Sequence, residues 1–214
     1  MTVVRWLTSV VAATVALTFT LPAVAKVIRF EITRTEPYGS FLAGDYVRMD
    51  GRVFGELSPD EKIPGIDKAT RNTRGKVEYS TPITIIAPKD ASAGNGALLF
   101  DVANRGSAIA QSLYNSPRGK FLPLGSFEAG TGFLQDKGFT VVTAAWELGQ
   151  KIELPHFTDS SGRALYVEGV GLAAIRDVVD FLHHAVSMTR VRRTHSQAQS
   201  IERLRSGIRR LRGC

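Results

Sequence analysis

The segment GNGALLFDVANRGS, residues 94–107, decides the fold that the sequence predicts. Its centre is a nearly continuous apolar run, ALLFDVA, which is typical of a strand buried on both faces of a sheet. A second run of this kind, GFTVVTAAW, follows at residues 138–146. Short helices are predicted between the two runs, at 107–114 and 131–137. Buried strands separated by helical segments indicate a parallel α/β sheet.

The chain before this segment has the pattern of antiparallel strands. Three stretches are rich in β-forming residues and end near Pro or Gly: 26–39, 45–57 and 76–88. Asp50-Gly51 marks a tight turn or a bulge inside the second stretch, and Pro82 is expected to break the third. We therefore predict the α/β class, with an antiparallel β-rich N-terminal part that leads into a parallel sheet with flanking helices.

The clearest helix is predicted at residues 170–186. Its apolar residues recur at helical spacing and are expected to form one stripe that faces the sheet. The stripe consists of Leu172, Ile175, Val179, Leu182 and Val186. His183 and His184 lie on the opposite face. We interpret this pair as a solvated surface feature, because a metal site needs further ligands at His or Cys spacing.

The first 25 residues have the pattern of a cleavable export signal. Arg5 precedes the uncharged apolar run 6–21, and Ala23-Val24-Ala25 offers small residues for cleavage. A membrane anchor is the alternative, but the run is shorter than the roughly 20 apolar residues that a spanning helix needs. The sequence therefore predicts a secreted or periplasmic protein, and the single Cys214 fits a chain without an internal disulfide.

The positive charge of the chain is concentrated at its C-terminal end. Residues 187–214 contain eight Arg, no Lys and one acid, Glu202, whereas the rest of the chain is neutral. The sequence pI of 9.8 therefore indicates no basic binding face on the main body, and no nucleic-acid partner is predicted.

Six segments, taken in order, resemble the exported bacterial alpha/beta-hydrolase domain proteins, which are esterase-like. They are RFEIT, GRVFGEL, TRGKVEYS, GNGALLFDVANRG, GTGFLQDKGFTVVTAAW and YVEGVGLAAIRDVVDFL, all within residues 27–186. The resemblance implies that 26–186 is the N-terminal part of a partial alpha/beta-hydrolase fold. It also implies a small ester-like substrate, with no cofactor and no metal.

The chemistry that the resemblance implies needs a Ser nucleophile in a G-x-S-x-G turn, followed by an acid and a His. It also needs a loop that binds the oxyanion, and the resemblance places this loop at Asn104, Arg105 and Gly106. The alternative is that these residues only close the buried strand, with Arg105 paired to a nearby acid.

The nucleophile motif is absent, because no Ser in the 214 residues has Gly two positions before it. The resemblance places that motif beyond the helix at 170–186, where the Arg-rich residues begin. We therefore interpret the chain as a truncated hydrolase relative that is inactive alone, and we assign no catalytic residue. His156 is interpreted as a loop or core residue, since a base acts only with a paired nucleophile.

Two interpretations of residues 187–214 remain open. In the first, they are an out-of-frame or disordered basic tail. In the second, they form a genuine basic amphipathic helix that contacts anionic membrane surfaces, on a non-enzymatic exported β-rich binding protein. The oligomeric state and the substrate are not predicted.

Overall fold

The computed structural model describes residues 26–116, 122–123 and 128–187. The predicted signal peptide, 1–25, and nearly all of the basic tail, 188–214, lie outside these residues. Both assignments, and the export that depends on the first, therefore stay predictions.

Strands form most of the regular structure. They are β1 (Val27–Phe41), β2 (Gly44–Leu57), β3 (Val77–Pro88), β4 (Leu98–Val102), β5 (Ser107–Ala108), β6 (Leu122–Pro123), β7 (Thr140–Ala144), β8 (His156–Thr158) and β9 (Ala164–Tyr166). The α-helices are α1 (Phe133–Asp136) and α2 (Gly169–Ser187). Single helical turns of other types occur at Ile66–Lys68, Ala91–Ala93 and Gln111–Asn115.

Five strands form one mixed sheet in the order β1-β2-β3-β7-β4. The pairs β1–β2, β2–β3 and β3–β7 are antiparallel, whereas β4 runs parallel to β7. Two small antiparallel ribbons, β5–β6 and β8–β9, lie outside this sheet. β3 and β7 are therefore central, and β1 and β4 are the edges.

Apolar side chains pack on both faces of the sheet. On one face, Val178 and Leu182 of α2 cluster with Val142 of β7. On the other, Leu134 of α1 clusters with Val141. Because successive residues of a strand point to opposite faces, β7 contributes to both clusters and is buried along most of its length.

The predicted α/β class is wrong, and so is the predicted partial alpha/beta-hydrolase fold. The described residues are 41% strand and 22% helix, and they form a mixed sheet rather than parallel strands layered between helices. A continuous apolar run favours burial but does not give the direction of the neighbouring strands. β7 is such a run, yet one of its neighbours, β3, is antiparallel to it. The predicted burial on both faces is observed for β7 and is wrong for β4, an edge strand in which Leu98 and Val102 are exposed.

The predicted helix exists as α2, but its predicted apolar stripe is only partly buried. Leu172 is 57% exposed and Val179 is 42% exposed, whereas Leu182 is buried. The helix instead buries a neighbouring face that contains Val170 and Val178, both fully buried. The apolar arc of α2 is thus wider than its contact with the sheet, so spacing alone did not identify the buried part.

Other local predictions had mixed outcomes. The stretch 107–114 contains β5 and most of a π-helical turn, and 131–137 contains the short α1, so a short helical segment occurs in each predicted range. The predicted break at Pro82 is wrong, because β3 runs without interruption from Val77 to Pro88. The pairing of β3 with β7 starts one residue after this proline, at Ile83. No helix in the described part of the chain is long and apolar enough to cross a membrane.

Candidate functional site

The residues predicted to bind an oxyanion form a tight turn after β4. Asn104 N–H donates to the carbonyl of Ser107 at 3.0 Å, and Ser107 N–H donates back at 2.9 Å. Between them, Arg105 and Gly106 have φ values of 49° and 78°. Left-handed backbone at both central positions is what a type I′ turn requires, and Gly adopts it without strain.

The structure thus brings Asn104, Arg105 and Gly106 together in one turn, with Asn104 and Arg105 exposed. Within the described residues, neither Arg105 nor Gly106 has a partner for its backbone N–H, and Arg105 forms no ion pair. The role of this turn in binding an oxyanion stays a prediction.

Asp101 holds the segment after this turn against the end of β4. Its carboxylate is buried and accepts the backbone N–H of Ala110 at 2.9 Å. Burial raises the pKa of Asp101, and hydrogen bonding from the backbone, chiefly from Ala110, opposes that change. The sequence does contain a signal for a buried acid here, since Asp101 interrupts the apolar run LLFDV, but no role was predicted for it.

Buried amides connect that segment to α1 and β1. Gln111 donates to the Tyr38 hydroxyl at 2.8 Å, and Asn115 donates to Gln111 at 3.0 Å and to Gln135 at 2.7 Å. Burial raises the pKa of Tyr38 to about 12, so its phenol is protonated at neutral pH. The Nε2 atom of Gln135 is buried with no partner among the described residues. We interpret the cluster as structural, because its side chains hydrogen-bond mainly to one another and connect three parts of the fold.

A groove beside β3 has room for a small molecule. Its volume is about 330 Å³, which is at the lower end of the range for ligand pockets. We call it the β3 groove, and it is lined by Ile28, Arg29, Phe54, Gly55, Glu78, Tyr79, Ser80, Glu153, Leu154 and Pro155. Residues of β1, β2 and β3 form one part of it, and residues 153–155 form the rest.

A backbone bridge holds residues 153–155 beside β3. Ser80 N–H donates to the carbonyl of Glu153 at 3.2 Å, and Glu153 N–H donates back at 2.8 Å. The Ser80 hydroxyl also donates to the Glu153 carboxylate, while Arg52 donates to Ser80 at 2.8 Å. β7 pairs with β3 only at Ile83–Ile86, so it does not reach Ser80. Residues 153–155 lie beside β3 there instead.

Charged groups line the β3 groove unevenly. Glu78 and Glu153 place two carboxylates there, and their side chains are 57% and 71% exposed. The single cation in the lining is Arg29, whose guanidinium lies 3.4 Å from the centroid of the Phe54 ring and pairs with Glu31. Each carboxylate already has an arginine beside it, because Arg52 lies 3.8 Å from Glu153 and Arg74 lies 3.8 Å from Glu78. Both contacts are long and involve exposed carboxylates, so they are weak and a cationic ligand can compete for the two carboxylates.

Tyr79 lines the groove and connects it to α2. Its hydroxyl donates to the buried Asp177 carboxylate of α2 at 3.0 Å, and Arg176 donates to the same carboxylate at 2.8 Å. Burial and the neighbouring Asp177 raise the pKa of Tyr79. A Cβ at Gly55 would lie 2.1 Å from the Tyr79 ring, so only Gly leaves room for this arrangement.

The histidines of the described residues belong to no cluster that could hold a metal ion. His156 is exposed in β8, with its ring 5.5 Å from the Tyr166 ring. The rings of His183 and His184 are 5.5 Å apart on the exposed face of α2. No group of three or more His, Cys, Asp or Glu side chains that could hold a metal occurs in this part of the chain.

Sequence reasoning did not predict the β3 groove. The sequence indicated only that Arg29, Phe54 and Ser80 lie in strands. Whether they line the same groove depends on the order of those strands in the sheet. Glu153 contacts β3 through a bridge over 73 residues of sequence, for which no local signal exists.

Comparisons of this chain with protein-family models, with curated proteins and with solved structures found no match. The resemblance to exported hydrolases therefore stays a prediction from the six quoted segments.

Proposed function

We propose that the protein is an exported binding protein that holds a small polar molecule with a cationic group in the β3 groove. The observation that carries the proposal is the groove itself, with about 330 Å³ of space and two exposed carboxylates whose contacts with Arg52 and Arg74 are 3.8 Å long. A primary or quaternary amine would pair with Glu78 and Glu153, while its apolar part would contact Ile28 and Leu154.

The other parts of the proposal rest on sequence alone. Residues 1–25 would direct export, and the basic residues 187–214 would contact anionic membrane surfaces. The groove is independent of both, because it is formed entirely by residues 28–155.

Nuclear magnetic resonance titration tests the proposal. The isotope-labelled chain from Lys26 is titrated with ethanolamine, choline and putrescine, and with glycerol and acetate as uncharged and anionic controls. We expect the amines to shift the amide signals of the groove residues in a saturable way. Shifts spread over the surface, or equal shifts with glycerol and acetate, would contradict the proposal.

Two matched pairs of variants locate the binding. Ile28→Trp fills the groove, whereas Leu42→Trp changes an equally apolar residue that is 89% exposed outside it. Glu153→Gln removes a groove carboxylate, whereas Glu168→Gln removes one elsewhere. Only Ile28→Trp and Glu153→Gln should weaken amine binding, and equal loss within either pair would show that the groove is not the site.

The second candidate is the esterase-like function that the resemblance implies, in a chain that is inactive alone. The observation that favours it is the Asn104–Ser107 turn, whose Arg105 and Gly106 N–H groups have no partner among the described residues. The coding DNA tests it. An apolar strand followed by G-x-S-x-G in another frame after the Val186 codon would support this candidate, and stop codons in both other frames would count against it.

A further inference from the structure

The two edges of the main sheet are built differently. β1 carries alternating charges at Arg29, Glu31, Arg34 and Glu36, and its register with β2 shifts at three places. Charges and bulges on an edge strand prevent pairing with other chains. β4 has the sequence LLFDV, with regular pairing to β7 and no Lys, Pro or bulge.

The outward hydrogen-bonding groups of β4 can be assigned. The carbonyl of Ala97 accepts the N–H of Thr140 at 3.1 Å, so Ala97 directs its backbone groups towards β7. Alternate residues of a strand direct these groups to opposite sides. Leu98, Phe100 and Val102 therefore direct their N–H and C=O groups away from β7, and β7 is the one strand that pairs with β4 among the described residues.

Apolar side chains accompany these outward backbone groups. Leu98 is 38% exposed and Val102 is 43% exposed, although both are large and apolar. Phe100 lies on the face that α2 covers, because it packs against the cluster that contains Val178 and Leu182. Leu98 and Val102 share this face with Phe100, since side chains alternate along a strand.

α2 extends the same apolar surface. Its Phe181 stacks on Phe30 of β1 at 5.7 Å, so this side of the helix is directed towards the β1 edge. Val179 lies about 200° around the helix from Phe181, at 100° per residue, and is directed towards the β4 edge. Leu172 lies on the same flank as Val179, and both are exposed.

We propose that the β4 edge is a homodimer interface, in which β4 pairs antiparallel with β4 of a second copy. With Phe100 opposite the other copy's Phe100, Leu98 lies opposite Val102. All outward N–H and C=O groups of the three residues then pair, which gives about six hydrogen bonds. The two sheets become one continuous sheet, and the exposed flanks of the two α2 helices lie on the same face of it.

A second copy fits this edge because the edge is self-complementary. A twofold interface places the same surface opposite itself, so like charges on it would repel. The outward residues Leu98, Phe100 and Val102 are uncharged, and the single charge of β4, Asp101, lies opposite Leu99 in this register. Its carboxylate is already buried and hydrogen-bonded within its own chain.

Sedimentation equilibrium of the chain from Lys26, at loading concentrations up to about 200 µM, tests the proposal. We expect a monomer–dimer equilibrium for the native sequence. The double variant Leu98→Lys/Val102→Lys should be monomeric throughout, because the predicted register places the new ammonium groups opposite each other. The double variant Leu98→Lys/Val102→Glu should dimerise again, since each ammonium then lies opposite a carboxylate.

Each outcome decides the proposal. A monomeric native chain, or a dimer that persists with two Lys substitutions, overturns it. Loss of the dimer with Lys/Lys and no recovery with Lys/Glu overturns the antiparallel register. Circular dichroism and the thermal midpoint of all three chains should agree, because both substituted side chains are partly exposed and a folding defect would be visible there. Thr33→Lys, at the exposed β1 edge, is the control and should leave dimerisation unchanged.

Discussion

Tyr79 and Gly55 depend on each other at the junction of β2, β3 and α2. The Tyr79 ring occupies the space that a side chain at Gly55 would need, and its hydroxyl is bonded to the buried Asp177. Gly55→Ala should therefore displace the ring and lower the free energy of unfolding by about 1–3 kcal/mol. Urea denaturation measures the loss.

Tyr79→Phe is the matched comparison, because it removes the hydroxyl and keeps the ring. We expect a loss of about 1.5–3 kcal/mol from the hydrogen bond to a carboxylate. In the background of Gly55→Ala, Tyr79→Phe should cost less, since the bond is already disturbed. Strict additivity of the two losses would show that Gly55 does not act through Tyr79.

We expect Asp101 to make the stability of the folded chain depend on pH. Burial raises its pKa in the folded state, so the unfolded chain loses the proton at lower pH than the folded chain does. The stabilisation from the protonated group is fully present below the unfolded pKa of about 3.9. It falls as pH rises from there through the folded pKa.

Asp101→Asn isolates this effect, because its side chain does not titrate. Urea denaturation of both chains between pH 3.5 and 7 should show that the native sequence loses stability relative to the variant as pH rises. A difference that grows in favour of the native sequence with rising pH would mean that the hydrogen bonds outweigh burial and that the pKa of Asp101 is lowered.

The structural roles of some single residues could be predicted from the sequence, whereas those of others could not. Asp50-Gly51 predicted a turn or a bulge, and the register of β1 shifts between Ile32 and Arg34, opposite these residues. A Cβ on Gly51 would lie 2.0 Å from the carbonyl oxygen of Glu31, which explains the Gly. By contrast, nothing local to Glu153 indicates that it pairs with β3.

At the scale of elements, α2 shows how far periodicity can be used. Its existence followed from helical spacing, but its orientation did not, because its apolar arc is wider than its contact face. The exposed fractions of two leucines distinguish the observed orientation of α2 from the predicted one. Leu182 is 6% exposed and Leu172 is 57% exposed, although the sequence placed both in one buried stripe.

Leu182→Ala should cost about 2–5 kcal/mol, as expected for a large-to-small change in a core. Leu172→Ala, the same change in the same helix, should alter stability by less than about 0.5 kcal/mol in the monomeric chain. The Leu98→Lys/Val102→Lys background keeps dimerisation out of the comparison. Similar costs for the two changes would restore the predicted stripe and contradict the observed orientation of α2.

Strands were easier to predict than their partners. The apolar runs at β4 and β7 do form a parallel pair, although β4 is an edge strand. The antiparallel contact of β7 with β3 depends on Ile83–Ile86 lying beside it, 55 to 61 residues earlier in the chain. Pairing over such distances has no signature in local composition, which is why the class prediction was wrong.

At the scale of the whole molecule, both proposals rest on one mixed sheet with β3 and β7 in the centre. The β3 groove exists because β7 ends early and residues 153–155 bridge to β3 in its place. The dimer edge exists because β4 is the last strand of the sheet within the described residues. Both the ligand-binding proposal and the dimer proposal therefore depend on this strand order.

Residue-resolved amide hydrogen exchange of the monomeric Leu98→Lys/Val102→Lys chain tests this strand order most directly. We expect the amides of Leu99 and Asp101 to exchange at least about 100-fold more slowly than those of positions 98, 100 and 102, because only the former bond to β7. Central β7 amides should be protected at every position. Equal protection of all five β4 amides would show that another strand covers this edge, and it would contradict the five-stranded sheet.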